Sequence, residues 1–283
     1  MRGHKGLHHI YFYRRDKMNG KKKRIGLIGF GQIGSFLYQE ITGHTEYGLE
    51  IAFVHEVIKE RVKDLPKNMV LDRMEDFGKY TVDLVAEVAH PDAVKSYGPL
   101  VLEKTDFFML SVTAMADPVL EQRLKDLCKR HGRKLFIAHG ATTGLDGIQD
   151  GKEGWEKITI TMKKNPKNIS FGNAKQWDPE KIDKVTVLYD GPTRGICPLY
   201  PKNVNSHATL ALAGIGLDRT RSVLIADPRL SESIIEIEAE GSGNRLSVVR
   251  SSPIKGVSGK LTLQSVLESL KKIQEADYGL QIL

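Results

Sequence analysis

The stretch Arg-Ile-Gly-Leu-Ile-Gly-Phe-Gly-Gln-Ile-Gly-Ser-Phe-Leu-Tyr-Gln-Glu-Ile-Thr, residues 24–42, decides the fold. Its first five residues are a short apolar run suited to a buried parallel strand. Gly29-Phe30-Gly31-Gln32-Ile33-Gly34 follows without a break, and residues 35–42 read as a helix. Strand, G-x-G-x-x-G and helix in direct succession is the context in which this glycine motif signals dinucleotide binding. Gly29 permits the tight turn, Gly31 lets a pyrophosphate approach the backbone, and Gly34 lets helix and strand pack closely. The helix N-terminus adds free N–H groups and the positive end of the helix dipole. Gly29, Gly31, Gln32, Ile33 and Gly34 are therefore the candidates for cofactor contact.

Working outward, residues 49–56 read as a second strand that ends at Glu56, 22 residues past Gly34. A Rossmann fold places there the acid that accepts from the ribose 2′-hydroxyl. The alternative for Glu56 is a solvated loop carboxylate. His55 and Lys59 would suit a 2′-phosphate, so NAD and NADP both stay open. Residues 82–89, 106–112 and 134–138 are further apolar runs, separated by helical stretches at 91–103 and 117–131. This alternation predicts a doubly wound parallel sheet over residues 23–150. Ligands bind such sheets beyond the carboxyl ends of the strands, so the loops at His90, Ser111–Met115 and His139–Thr143 should face one cleft.

The periodicity then changes. Residues 156–164, Glu-Lys-Ile-Thr-Ile-Thr-Met-Lys-Lys, alternate as a half-buried antiparallel strand does. Residues 184–191, 221–228, 233–241 and 245–251 read as further strands, and Asn205–Leu217 as an Ala/Leu-rich helix. A final amphipathic helix over 260–275 turns Leu261, Val266, Leu267 and Leu270 toward a core, and its position suits a return to the first domain. The fold class is thus α/β: a Rossmann domain (23–150) and a second α+β domain (151–283) on a mixed sheet. Sheets of this kind often bury their open face against another subunit, which predicts a homodimer or larger assembly.

Composition narrows the function classes. At 283 residues the chain holds one large or two ordinary domains. With 40% hydrophobic and 27% charged residues, wholesale disorder is excluded. No apolar run approaches the roughly 18–20 residues of a membrane span. Two cysteines, Cys128 and Cys197, are too few for a disulfide scaffold or a Cys-rich zinc site, and fit a reducing compartment. Of the net +7, residues 1–24 supply nine basic residues against Asp16 alone, leaving 33 basic and 34 acidic residues in the rest. The basic character belongs to the leader, so no nucleic-acid partner is expected. Residues 1–22 read as a disordered tail, or as an upstream start before Met18, dispensable for folding. A cytoplasmic location is expected, with a mitochondrial one as the alternative suggested by the basic leader. No metal site is expected.

Three later stretches carry a family resemblance. They are Gly140-Ala141-Thr142-Thr143-Gly144-Leu145-Asp146, Tyr200-Pro201-Lys202-Asn203-Val204-Asn205 before the Ala-rich helix, and Ile225-Ala226-Asp227-Pro228 closing a strand. In order and spacing, residues 23–276 resemble the L-aspartate dehydrogenase family. The resemblance implies an NAD- or NADP-dependent oxidoreductase that interconverts L-aspartate with iminoaspartate, or with oxaloacetate and ammonia. It implies that Ala141 contacts the cofactor through its backbone and that Asn205, or alternatively Asn203, lies on the nicotinamide side. Both asparagines also sit where a helix N-cap belongs.

The family's catalytic histidine lies seven or eight residues beyond the Asp of the Ala-Asp-Pro segment; here those positions are Ile234 and Ile235. An isoleucine neither accepts a proton nor polarises a carbonyl. His139 stands where the family has Ser, and Thr113 where it has Gly. His207, two residues past Asn205, is the expected substitute catalyst, with His139 second and a packing role as the alternative. A dicarboxylate substrate needs cations, and Arg194 and Lys202 are the candidates. The competing functions are dinucleotide binding without turnover, and the same chemistry on another small amino or imino acid.

Overall fold

The computed structural model describes residues 22–140, 142–253 and 259–275. The basic leader up to residue 21 and Ala141 therefore lie outside the described residues. Five parallel strands make the first sheet: β1 (Lys23–Ile28), β2 (Leu49–His55), β3 (Leu84–Glu87), β4 (Asp106–Met109) and β5 (Leu135–Ile137), in the order β2-β1-β3-β4-β5. β1 is buried from Ile25 to Ile28 and β3 throughout, as strands covered on both faces must be. The helices α1 (Gln32–Gly43), α2 (Pro91–Leu102) and α3 (Pro118–His131) connect them. α3 shows why the boundaries fall where they do. Asp117 accepts from the N–H groups of Val119 and Leu120, Pro118 opens the helix, and Gly132 closes it in the left-handed region at φ 62°.

After α4 (Leu145–Asp150) the chain builds a second, mixed sheet. Its strands are β6 (Lys157–Lys164), β7 (Thr186–Pro192), β8 (Arg221–Ala226), β9 (Glu232–Gly241) and β10 (Asn244–Pro253), in the order β10-β9-β6-β8-β7. β6 and β8 run parallel; the other pairs are antiparallel. β9 and β10 form a hairpin closed by Ser242 and Gly243, both at positive φ (49° and 75°), as the favoured two-residue turns require. The short helices α5 (Thr193–Ile196) and α6 (Asn205–Ala213) lie between β7 and β8. α6 is four residues shorter than the sequence predicts, ending at Gly214. The α/β class read from the sequence, a parallel Rossmann sheet followed by a mixed sheet, is the one that forms.

α7 (Lys260–Glu275) packs on the first sheet, not the second. Val266, Leu267 and Leu270 are buried in a cluster with Ile25, Leu27, Leu37 and Ile51. Lys23 Nζ donates to Ile273 O at 2.9 Å. Leu261, expected to join this core, is instead 42% exposed: it lies in the first turn, ahead of the stripe that meets the sheet. Among the described residues no helix is long and apolar enough to cross a membrane.

Candidate active site

The glycine loop at the end of β1 has the geometry of a phosphate cradle. Gly29 sits at φ +100° with Ala89 so close that an added Cβ would lie 2.7 Å from the Ala89 Cβ. A Cβ on Gly34 would run into the Gly29 carbonyl oxygen. One on Gly31 would meet nothing within 4 Å. Gly31 caps α1 without any side-chain bond to the first-turn N–H groups. These amides therefore keep their hydrogen-bonding capacity and their share of the helix dipole at an open space.

Glu56 braces this loop from the end of β2. Its Oε2 accepts from Phe30 N–H at 2.7 Å and its Oε1 from Ile58 N–H at 2.9 Å, with Arg61 Nη1 at 3.4 Å. Burial alone would raise its pKa; the two amides and the guanidinium outweigh that and hold the carboxyl below the usual range. The solvated loop carboxylate considered from sequence is not what forms, since Glu56 is buried.

The cleft opens where β3, β4 and β5 end. His90, Ser111 and His139, one from each of these loops, all line it, together with Ile33 from α1. Beneath them lies Glu87, completely buried. Its Oε1 accepts from Ala89 N–H (2.7 Å) and Ser111 Oγ (2.8 Å), and its Oε2 from Ser111 N–H (3.0 Å). Burial pushes this carboxyl up despite three donors. His139 Nδ1 lies 3.2 Å from Ser265 Oγ on α7, and burial followed by the charge of Lys272 lowers its pKa. His90 caps α2 and pairs with Asp92 at 3.1 Å.

A segment from the second half closes one side. Asn205 lines the cleft as the first residue of α6, and its Oδ1 accepts from Thr113 N–H at 3.1 Å. Thr113 Oγ1 donates to Pro201 O at 3.0 Å. Neither asparagine caps α6: Val204 holds that position, and Asn203 instead clamps Ser170 through both its N–H and its carbonyl. Lys202 also lines the cleft.

The opposite wall is the mixed sheet. β6, β9 and β10 present Met162 and Lys164, Ser233 and Ile235, and Arg250 and Ser252. These are alternate residues of each strand, brought level by register: Met162 pairs with Ile235, Ile235 with Arg250, and Ser233 with Ser252. Lys164 is 2% exposed, and neither it nor Arg250 has a carboxylate partner among the described residues. The Ser233 hydroxyl and Arg250 Nε are buried without hydrogen-bond partners. Burial, with the nearby Arg250 charge, pushes the Lys164 ammonium down to about 8. Sequence reasoning passed over Lys164, Ser233 and Arg250, although parity marks them. Ile158, Ile160, Met162 and Lys164 form one row, and so do Leu246, Val248, Arg250 and Ser252. Lys164 continues a buried row and is itself buried, whereas Arg250 continues a half-buried one.

Two expected site residues lie elsewhere. His207 is fully buried and does not line the cleft, because its position on α6 turns it away from the Asn205 side. Its Nδ1 lies 3.0 Å from Ser222 Oγ, its Nε2 has no partner, and burial followed by the charge of Lys164 drives its pKa to about 3. Arg194 lies outside the cleft too. It grips Asp218 (2.6 and 2.8 Å), Glu121 (3.1 Å) and the carbonyls of Met115 and Ala116. Its guanidinium is a structural clamp, raised in pKa by these partners. Of the two isoleucines at the family's histidine positions, Ile235 lines the cleft and Ile234 does not.

Comparison with known proteins agrees with this geometry. Residues 29–138 match the family described as homoserine dehydrogenase, NAD binding domain, and residues 146–273 match aspartate dehydrogenase, C-terminal. The first match makes NAD or NADP the cofactor of this chain. An aspartate dehydrogenase domain-containing protein of Xenopus tropicalis is 34% identical over 229 residues, 78% of this chain and 81% of that one. The L-aspartate dehydrogenase of Methanosarcina acetivorans is 32% identical over 266 residues, covering 88% and 96%. The crystal structure of aspartate dehydrogenase from Thermotoga maritima superposes with a TM-score of 0.71 at 25% identity, over 92% of this chain and 99% of that one. On its C-terminal match and on relatives at 32–34% identity over most of both chains, the chain belongs to the L-aspartate dehydrogenase family.

Proposed function

We propose that this protein interconverts L-aspartate with iminoaspartate, or with oxaloacetate and ammonia, using NAD or NADP. The observation that carries the reading is the pair of cations without carboxylate partners, Lys164 and Arg250, in the wall that faces the dinucleotide domain. Lys164 is buried and Arg250 half-buried with its Nε enclosed, and a dicarboxylate entering the cleft would give both the anionic partner they lack. Arg250 can hold one carboxylate with two parallel bonds. Ser233 and Ser252 flank it with hydroxyl donors.

The dinucleotide, when bound, supplies the hydride acceptor or donor. The chain's own part is positioning. The α1 amides and Gly31 would hold the pyrophosphate, Glu56 fixes the loop through Phe30, and Asn205 sits at the joint of the two walls. The sheet wall screens the reacting centre from bulk water, which strengthens every charge interaction inside. The outer face of the mixed sheet exposes Val187 and Val249 beside the Lys163–Glu236 and Arg221–Asp190 pairs, which supports assembly as a homodimer.

The test is purified protein with NADH or NADPH, ammonia and a panel of 2-oxo acids, followed at the nicotinamide absorbance. Oxaloacetate should be the preferred acid. Arg250→Met should raise its KM by about 10–100-fold, the worth of a hydrogen bond to a charged group, with dinucleotide affinity unchanged. Ile235 at a family histidine position favours a second reading, dinucleotide binding without turnover. It predicts tight NADH binding and no reduction of any acid.

A further inference from the structure

The mixed sheet presents six side chains to the cleft, and the histidine of the family is not among them. Met162 and Ile235 carry no exchangeable proton, Arg250 stays charged throughout the physiological range, and the hydroxyls of Ser233 and Ser252 ionise far above it. Only Lys164 of the six can gain and lose a proton under working conditions. Its backbone is fixed: Lys164 O accepts from Asp227 N–H at 2.9 Å where β6 ends. Carrying the Lys163–Ile234 pairing one residue further sets Lys164 opposite Ser233, whose buried hydroxyl has no partner.

We infer that the Lys164 amine is the group that takes the substrate's ammonium proton in the oxidative direction and returns it in the reductive one, with the Ser233 hydroxyl beside it. The inference rests on the aspartate reading above. The two cations then divide the work, Arg250 as permanent anchor and Lys164 as the exchanging group. In oxidation an N–H bond of the aspartate ammonium breaks, its electron pair stays on nitrogen, and the proton moves to the neutral Lys164 Nζ. The Cα–H bond then breaks with its electron pair leaving as hydride to the dinucleotide, and the nitrogen lone pair closes the C=N bond. The substrate loses two electrons, the dinucleotide gains them, and Lys164 passes one proton to water. In the reverse direction the Lys164 ammonium supplies that proton.

The surroundings suit the task. Burial and Arg250 on β10 hold Lys164 near 8, so both protonation states are accessible around neutrality. On α6, His207 is neutral there and adds no charge. Among the described residues the remaining titratable groups lining the cleft are His90, His139 and Lys202. His90 is engaged as a cap and with Asp92, and His139 with Ser265. Lys163 and Glu236 pair at 2.7 Å and do not line the cleft.

The experiment separates proton exchange from charge. Lys164→Arg keeps a cation that cannot deprotonate, and Lys164→Ala leaves room for a small amine. Wild-type aspartate oxidation should rise with pH through about 8, and reductive amination should fall. Lys164→Arg should lose turnover by about 10²–10⁴-fold, while succinate, a dicarboxylate that cannot react, still binds within about tenfold of wild type by calorimetry. Wild type should take up protons on binding succinate near pH 8, measured as a buffer-dependent heat, and Lys164→Arg should not. Added ethylamine should restore part of the activity of Lys164→Ala. Turnover by Lys164→Arg within tenfold of wild type, or proton uptake unchanged by that substitution, overturns the assignment. A wild type that oxidises no aspartate with either dinucleotide overturns the function reading itself, and this assignment with it.

Discussion

Gly31→Val isolates cofactor binding from folding. Gly31 has φ −78° and ψ −156°, an extended conformation open to any residue, and its added Cβ meets no atom within 4 Å. The folded state should therefore accept valine with a change within about 0.5 kcal/mol, the usual range for a substitution that breaks no feature. The bound state should not, because the side chain fills the space in front of the uncapped α1 amides. Losing two hydrogen bonds to a charged phosphate, at about 1.5–3 kcal/mol each, would weaken the dinucleotide by roughly 10²–10⁴-fold. Gly34→Ala is the counterpart: its Cβ collides with the Gly29 carbonyl, so it should lower the melting temperature markedly. NADH fluorescence titration and thermal melts of both variants make the comparison. Unchanged NADH affinity in a folded Gly31→Val protein, or a melt as low as that of Gly34→Ala, would refute the reasoning.

Other expectations follow from the residues the structure moved out of the cleft. Arg194→Met should cost about 1–3 kcal/mol in denaturant unfolding, since two backbone carbonyls and two carboxylates lose their donor. The KM for oxaloacetate should stay at the wild-type value, and a raised KM would return Arg194 to the substrate site. His207→Leu should retain turnover and change the acid limb of stability. The folded histidine is neutral down to about pH 3 while the unfolded one protonates near 6.5, so stability is complete above 6.5 and lost as pH falls toward 3. The slope from this group approaches about 1.4 kcal/mol per pH unit at most. Removing the imidazole should flatten that limb, and identical pH–stability curves for the two proteins would contradict the buried, neutral assignment. Glu56→Ala should weaken both the fold and NADH binding, because Phe30 N–H loses its acceptor. Loss of stability with full NADH affinity would disconnect Glu56 from the loop.

The first sheet was legible because its signals are local. Strand, glycine motif and helix lie within 19 residues, 24–42, and each glycine has a reason found a few residues away or across one loop. The cleft wall was harder because it is assembled from three strands spread over positions 162–252, and only the register makes Met162, Ile235 and Arg250 neighbours. His207 misled for a related reason. Its spacing from Asn205 is right for the same helix and wrong for the same face. Arg194 was a substrate-clamp candidate from its residue type and its expected place near the cleft loops. The same fork that suits a dicarboxylate suits Asp218 and Glu121, and nothing local in the sequence says which carboxylates arrive.

The stitching around Thr113 has a consequence for how the molecule moves. Thr113 bonds to Asn205 and to the Pro201 carbonyl, Arg194 holds the carbonyls of Met115 and Ala116, and on the other side α7 is sunk in the core of the first sheet. Swinging the walls apart as rigid jaws would break these attachments together, so the low-energy motions leave the gap between them nearly constant. The cleft then acts as a slot of set width. A guest must fit that width as it stands, because the attachments at Thr113 and Arg194 keep the walls from parting to admit a thicker one. Selectivity of this kind comes from the stiffness of the frame and needs no closing step.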